Sequence, residues 1–212
     1  MAGAKHARVG GASLVASGAL FLARSALELH AGPPPSHGTE ILSWATGNRR
    51  ALMLFSEALC FAMALMVPGF AALYRALSPL RPQRTTIACG LVALAASVLA
   101  ATVVVHGRLV YPVFDIQAHS ADQAELVVAI TYGAFHLVAL LMAVATALLS
   151  SALWETARGV AALGWLTAAC DVVAGYPDRV GPTISFACGA VFAAWFAAVG
   201  VWLLRRRSER AQ

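Results

Sequence analysis

The chain has 212 residues, of which 60% are hydrophobic and only 12% are charged, and its mean hydropathy is +0.74. A soluble domain of this length carries roughly twice that charged fraction, so the composition excludes an ordinary soluble protein. The formal net charge of +5 is not accompanied by a soluble basic domain, which leaves nucleic-acid binding without support.

Apolar runs recur along the chain, and most are long enough to cross about 30 Å of hydrocarbon as an α-helix. The sequence therefore predicts an all-α, polytopic transmembrane bundle of six helices, forming a single domain over residues 1–212. The fifth run is the shortest, and the fourth is longer than a bilayer requires, so it should tilt or project. The predicted spans are Val9–Leu29, Ala51–Tyr74, Thr86–Val105, Leu126–Ala152, Val160–Ala174 and Ser185–Leu204.

The first run follows Lys5 and Arg8, as a secretory signal peptide would. It lacks a clear small-residue cleavage site, however, and Arg24 and Glu28 interrupt its far end. We therefore interpret it as a spanning helix. Arg24 and Glu28 are four residues apart, so they lie on one helix face and can neutralise each other.

The loop after the first run contains three prolines followed by a short amphipathic stretch. Ile41, Leu42 and Trp44 of this stretch are expected either to lie on the membrane surface or to cover a cavity. Pro68, in the second run, predicts a kink and a packing notch in the sequence PGF.

Basic residues predict the orientation, because short loops rich in Lys and Arg remain in the cytoplasm. With six spans, ten of the fifteen basic residues fall on the side that holds both termini. Both termini are therefore predicted to be cytoplasmic, in a multi-pass protein of the plasma membrane. The five basic residues on the other side are Arg24, Arg49, Arg50, Arg108 and Arg179.

Polar residues within the runs concentrate in the extracytoplasmic half, where helical spacing places them on stripes that can converge. Isolated charges cost up to about 3 kcal/mol at the bilayer centre, so these residues should face the bundle interior and pair. Our candidate catalytic residues are Glu57, Asp171 and His136. The candidate substrate-binding residues are Tyr132, His106, Arg108, Asp115, Arg24 and Glu28.

The third run leaves the membrane in the sequence HGRLVYPVFD, residues 106–115. We expect His106, Arg108 and Asp115 there to form the rim of a cavity whose floor contains Glu57, Tyr132, His136 and Asp171. Glu57 and Asp171 have no basic neighbour within one helical turn of their own helix. A carboxyl in a low-dielectric site suits proton donation, so the pattern favours binding or acid-catalysed conversion of an amphipathic, lipid-like small molecule.

Other interpretations of the same residues remain open at this level. They can serve only as polar contacts between helices, or line a transporter with inverted halves, or form an extracytoplasmic sensor. A metal or haem site is a further alternative, but no HxxxH, HExxH or CxxC spacing occurs. The expected partners are membrane lipids and the amphipathic ligand, and no cofactor is assigned.

The four cysteines, Cys60, Cys89, Cys170 and Cys188, all lie within apolar runs. This placement favours small buried hydrophobic residues over a disulfide framework. Cys170 and Cys188 are expected at similar depth on consecutive antiparallel helices, so they can meet.

Two segments carry a family resemblance. NRRALMLFSEALCFAMALMVPGFAALYRALSPLRPQR, residues 48–84, resembles the second-helix region of a family of six-helix bacterial membrane proteins without an assigned activity. GGASLVASGALFLARSAL, residues 10–27, is similar to the first helix of that family. The resemblance implies the six-helix fold and a bacterial plasma membrane, in agreement with the abundant Ala, Gly, Val and Arg of a GC-rich genome. It implies no catalytic residue.

Overall fold

The computed structural model describes residues 2–112 and 117–206, and in these ranges the chain is all-α. A short 3-10 helix, Gly107–Leu109, follows the fourth of seven α-helices. The α-helices are α1 (Ala2–Ala31), α2 (Gly38–Gly47), α3 (Arg49–Leu77), α4 (Pro82–His106), α5 (Ala121–Leu153), α6 (Arg158–Ala174) and α7 (Pro177–Arg205).

Within the part of the chain that the structure describes, five helices are long and apolar enough to cross a membrane by length and composition, which makes the protein a candidate multi-pass membrane protein. The all-α class is thereby confirmed, whereas the count of six spans is not. The predicted fifth span corresponds to α6, which has only 17 residues and is not among the five. The five candidate spans are His6–Ala31, Arg49–Leu77, Pro82–Leu109, Ala121–Leu153 and Pro177–Arg205.

Local sequence signals explain where several helices begin. Ser120 caps α5: its hydroxyl accepts from the backbone N–H of Gln123, whose side chain accepts from the N–H of Ser120. Pro82 and Pro177 stand at the first positions of α4 and α7, where a missing N–H costs nothing. In α7 the chain departs from helical geometry at Gly181, whose φ of +78° favours glycine.

α1 packs between α3 and α7, and the buried apolar core extends from these helices to α4, α5 and α6. Glycines allow this close approach: a Cβ at Gly11 would lie 2.8 Å from the carbonyl oxygen of Gly200, and one at Gly18 equally close to that of Ala193. The predicted packing notch is present, because a Cβ at Gly69, next to Pro68, would collide with Leu14. On the other side of the bundle, α5 packs between α4 and α6.

One end of the bundle, here called the basic end, gathers the N-terminal part of α1, the α3–α4 loop, the α5–α6 loop and the end of α7. Arg81 pairs with Glu155 across the two loops. Arg206, at the end of α7, donates to the carbonyl of Ala76 at 3.2 Å. The remaining basic residues that the structure describes at this end are Arg8, Arg75, Arg84, Arg158 and Arg205.

The opposite end, here called the acidic end, holds α2, the described residues of the α4–α5 connection and the α6–α7 turn. Here the amphipathic stretch of the first loop forms α2, which packs against α5 with Ile41 buried. The Trp44 indole donates to the carbonyl of Ala31 at 2.9 Å, and the Glu125 carboxylate accepts from the N–H of Gly38 at 2.7 Å. These bonds hold α2 against the bundle.

The cysteines differ in exposure more than the prediction of buried hydrophobic residues implies. Cys188 is buried, Cys89 and Cys170 are half-buried, and Cys60 is exposed on α3. All four are free thiols, and Cys170 and Cys188 are in contact, as their depth on α6 and α7 predicts.

Candidate functional site

The short α6 leaves a space at the acidic end of the bundle. Its last turn ends beside the middle of α5, where the imidazole of His136 bonds to the carbonyl oxygen of Gly175 at 2.7 Å. The first half of α5, residues 121–135, therefore extends beyond the end of α6. α1, the start of α7 and the loop after α1 surround the space that α6 does not fill.

This space is an open cavity of about 440 Å³, here called the outer cavity. Its walls are mostly apolar, and prolines of the α1–α2 loop and of α7 contribute a large part of them. The polar side chains of the lining are Ser25, Glu28, Tyr132, His136, Tyr176, Asp178 and Ser185. A lining of this kind, apolar with a few polar groups, is typical of small-molecule sites.

A second cavity of about 130 Å³, here called the inner cavity, lies deeper among α1, α3, α4, α5, α6 and α7. Five residues line both cavities, so the two spaces adjoin. The shared residues are Ser25, Glu28, Tyr132, Pro177 and Ser185.

Three buried polar atoms of the inner cavity have no hydrogen-bond partner among the described residues. They are Oδ2 of Asp171, Oγ of Ser185 and Nε of Arg24. Asp171 is only 7% exposed. A buried polar group without a partner costs about 1–3 kcal/mol, and native proteins leave few of them. An acceptor, a hydroxyl and an N–H donor thus line one small cavity, where a polar ligand can satisfy them.

The Arg24 side chain is held in place on the wall of the inner cavity. Its guanidinium pairs with Glu28 at 3.0 Å, as the spacing of four residues predicts. It also stacks over the rings of Phe55 and Phe135, with its central carbon 4.8 and 4.7 Å from the two ring centroids. Arg24 is therefore oriented by three groups while Nε is left without a partner.

His136 has a defined tautomer in the outer cavity. A carbonyl oxygen only accepts, so Nδ1 carries the proton that is donated to Gly175. The Tyr176 ring packs edge-on against the imidazole with 4.8 Å between ring centroids. Nε2 is the ring nitrogen that remains for a ligand.

Five of the nine site residues predicted from the sequence line the two cavities. Glu28 and Tyr132 line both, His136 lines the outer one, and Arg24 and Asp171 line the inner one. The structure thus brings residues of α1 together with residues of α5 and α6 that lie more than a hundred positions later in the chain.

Three other predicted residues lie where α3 meets α4 and line neither cavity. Glu57 is exposed and accepts a hydrogen bond from the Tyr111 hydroxyl at 2.9 Å. His106 is buried and bonds through Nδ1 to the Ser56 hydroxyl at 2.8 Å. The Arg108 Nε donates to the carbonyl of Val104 at 3.4 Å. The ninth residue, Asp115, lies outside the described residues.

Tyr111 links the α4–α5 connection to α3. Its hydroxyl contacts both the Glu57 carboxylate and the carbonyl of Met53. Burial, together with the hydrogen bond to Glu57 and the negative charge there, raises the pKa of Tyr111 to about 12. Glu57 and Tyr111 thus form a polar contact between α3 and the chain after α4.

Sequence reasoning did not include Ser25, Ser185, Tyr176 or Asp178 among the site residues. Ser25 lies one position after Arg24, and Ser185 stands at the start of the last apolar run, where a single hydroxyl is unremarkable. Tyr176 and Asp178 flank Pro177 directly after the shortest apolar run. The shortness of that run is the signal that could have identified them, because the space beyond a short helix must be lined by the turn that follows it.

Among the described residues, no group of three or more His, Cys, Asp or Glu side chains is placed to hold a metal ion. In comparisons with known proteins, the chain matches no family model, no curated protein and no solved structure. The functional argument therefore depends on the two cavities and their lining.

Proposed function

We propose that this is a bacterial plasma-membrane protein with six spans that binds an amphipathic small molecule in a cavity of its extracytoplasmic half. The observation that carries the proposal is the buried Oδ2 of Asp171, which lines the inner cavity without a partner among the described residues.

The length of α6 is compatible with a sixth span. Its 17 residues rise about 25 Å at 1.5 Å per residue, which is at the short limit for a transmembrane helix. It packs between α5 and α7, both of which are candidate spans. The α5–α6 loop at its start lies at the basic end of the bundle, and the turn at its end lies at the opposite end. The positive-inside rule then places the basic end, with both termini, in the cytoplasm.

The two cavities together suit a ligand with one polar and one apolar part. The walls of the outer cavity are mostly apolar, with Leu29, Val128 and Phe186 among them. The inner cavity offers the unpartnered atoms of Asp171, Ser185 and Arg24. We therefore place the apolar part in the outer cavity and the polar group in the inner cavity. If that polar group accepts a proton, the Asp171 carboxyl is positioned to act as a general acid.

Transport fits these residues less well than binding. A transported solute needs a polar route from the inner cavity to the basic end. Along α1, α3, α5 and α7, the lining residues nearest that end are apolar: Phe21, Met66, Met142 and Phe192. Apolar side chains thus close the inner cavity on the side that faces the basic end, which favours a binding or catalytic site over a transport route.

The test is mass spectrometry of small molecules that remain on protein purified in mild detergent. We expect the wild-type protein to retain an amphipathic molecule and Asp171→Asn to lose it. Asp122→Asn, which makes the same change at an exposed position of α5, should retain it, and so should Glu57→Gln.

Thermal unfolding of each variant separates ligand loss from misfolding. The proposal requires Asp171→Asn to lose ligand while its folded fraction stays close to that of the wild-type protein. A wild-type protein without retained ligand, or a loss in proportion to the unfolded fraction, would overturn it and favour a purely structural role for Asp171.

A further inference from the structure

We infer that the ligand is a lipophilic amine, whose ammonium group pairs with Asp171 in the inner cavity while its apolar body fills the outer cavity. This inference rests on the proposed function, which it extends by naming the class of ligand.

The first argument is the charge of the lining. The two cavities are lined by three carboxyl groups, those of Glu28, Asp171 and Asp178, and by one guanidinium, that of Arg24. The imidazole of His136 also lines the outer cavity. Arg24 is already paired with Glu28, so Asp171 and Asp178 remain without an ion-pair partner among the described residues. The chain as a whole has 15 Lys and Arg against 10 Asp and Glu, so this acidic excess is local.

The second argument is the environment of Asp171. The described residues contain two ion pairs, Arg24–Glu28 and Arg81–Glu155, and Asp171 belongs to neither. Its Oδ2 is buried and accepts no hydrogen bond from any described residue. A buried carboxylate in protein is normally paired with a charge and hydrogen-bonded. An ammonium group meets both needs, because it carries a positive charge and three N–H donors.

The third argument is that the cavity lining also contains a free hydroxyl acceptor and several aromatic rings, which suit an ammonium group. The Ser185 hydroxyl, which lacks a partner and lines both cavities, can accept a second N–H from the same ammonium group. Tyr132 lines both cavities, and Tyr176 and Phe186 line the outer one. Aromatic faces attract cations, and aromatic groups with carboxylates are a recurring way to bind ammonium ligands.

An anionic ligand fits the lining poorly. The Nε of Arg24 is available as a donor, but the charge of Arg24 is neutralised by Glu28 at 3.0 Å. A ligand carboxylate or phosphate would enter a space with two further carboxyl groups. Like charges at close range are unfavourable, so we expect anions to be excluded.

The experiment compares three probes that share one rigid apolar body: adamantylamine, adamantanol and adamantane carboxylate. The full-length protein is reconstituted in nanodiscs of phosphatidylcholine, and binding is measured by equilibrium dialysis near neutral pH. Empty nanodiscs give the partitioning of each probe into the bilayer, which is subtracted. We expect the amine to bind at least about tenfold more tightly than the alcohol, as for a buried charge pair, and the carboxylate to bind most weakly.

Two variants test whether Asp171 causes the preference for the amine over the alcohol. Asp171→Asn should reduce binding of the amine to the level of the alcohol, whereas Asp122→Asn should keep the full preference. The three probes are compared on the wild-type protein as well, so the inference is tested even if Asp171→Asn does not fold.

Three results would overturn the inference: equal binding of amine and alcohol, a preference for the carboxylate, or an amine preference that survives in Asp171→Asn. None of these results decides whether the purified protein retains a ligand from the cell, which is the separate test of the proposed function. If that ligand still depends on Asp171, the proposed function stands and only the ligand class is wrong.

Discussion

The imidazole of His136, in the middle of α5, donates a hydrogen bond from Nδ1 to the backbone carbonyl of Gly175 at 2.7 Å. Gly175 directly follows the last residue of α6 and is buried. The His136 side chain therefore fixes the end of α6 against α5, and both His136 and Gly175 line the outer cavity.

Replacing His136 with alanine should weaken this junction. The Gly175 carbonyl would lose a bond, so we expect a loss of about 1–3 kcal/mol in unfolding free energy together with reduced ligand retention. His136→Gln, which keeps a donor, should lose less. Thermal unfolding with and without retained ligand measures both effects, and the exposed His30→Ala is the control. A stability equal to that of the wild-type protein would show that the bond does not hold α6.

Replacing Gly164 with alanine should destabilise the contact of α6 with α5 and α7. A Cβ at this position would collide with the Ser150 hydroxyl and lie 2.6 Å from the indole nitrogen of Trp195. Overpacking of this kind costs about 1–3 kcal/mol. The midpoint of thermal unfolding is the measurement.

Gly133→Ala on α5 is the matched control, because a Cβ there meets no atom within 4 Å. It should leave stability unchanged or raise it by up to about 1 kcal/mol. Equal effects of the two substitutions would contradict the close packing at Gly164.

Replacing Glu57 with glutamine should lower the pKa of Tyr111. The wild-type value of about 12 reflects burial first and then the hydrogen bond and charge of Glu57. The amide removes the charge but leaves the burial, so the pKa should fall yet remain above the ordinary 10.

Titration of tyrosine labelled at Cζ, followed by NMR and assigned with Tyr111→Phe, gives this pKa. Because the folded-state pKa is raised, the stabilising contribution of Tyr111 is complete below about pH 10. It is lost as the pH rises from there toward 12. An unchanged pKa in Glu57→Gln would show that Glu57 does not act on Tyr111.

Reporter fusions decide between five and six spans. A reporter fused after Ser78 should lie in the cytoplasm, and one fused after Gly38 should lie outside. The decisive pair is a fusion after Thr156 and one after Arg179, because only α6 separates these positions. We expect Thr156 to report the cytoplasm and Arg179 the exterior. The same side for both would leave five spans and place α6 outside the bilayer.

The sequence by itself determined the all-α class of the protein and the positions of its apolar helices along the chain. Long uncharged runs can bury their backbone polar groups in a bilayer only as helices, and the observed helices overlap all six runs. Relations within one helix were also accessible. The Arg24–Glu28 pair follows from a spacing of four residues, and the same spacing places Tyr132 and His136 on one face of α5.

The tertiary structure alone decided which polar residues meet. Spacing relates residues within a helix, but it does not say how the helix is rotated about its axis in the bundle. In a soluble protein the polar face identifies the outside. In an apolar helix surrounded by lipid, the inner and outer faces have similar composition, so that signal is weak.

Glu57 and Asp171 show the consequence. From the sequence both are acids in the outer half of an apolar run, without a basic neighbour on the same helix. In the folded chain α3 turns Glu57 outward to Tyr111, whereas α6 turns Asp171 inward to the cavity. The residues that complete the cavity, Ser25 and Ser185, come from α1 and α7, and only the packing of the bundle brings them into the same cavity as Asp171.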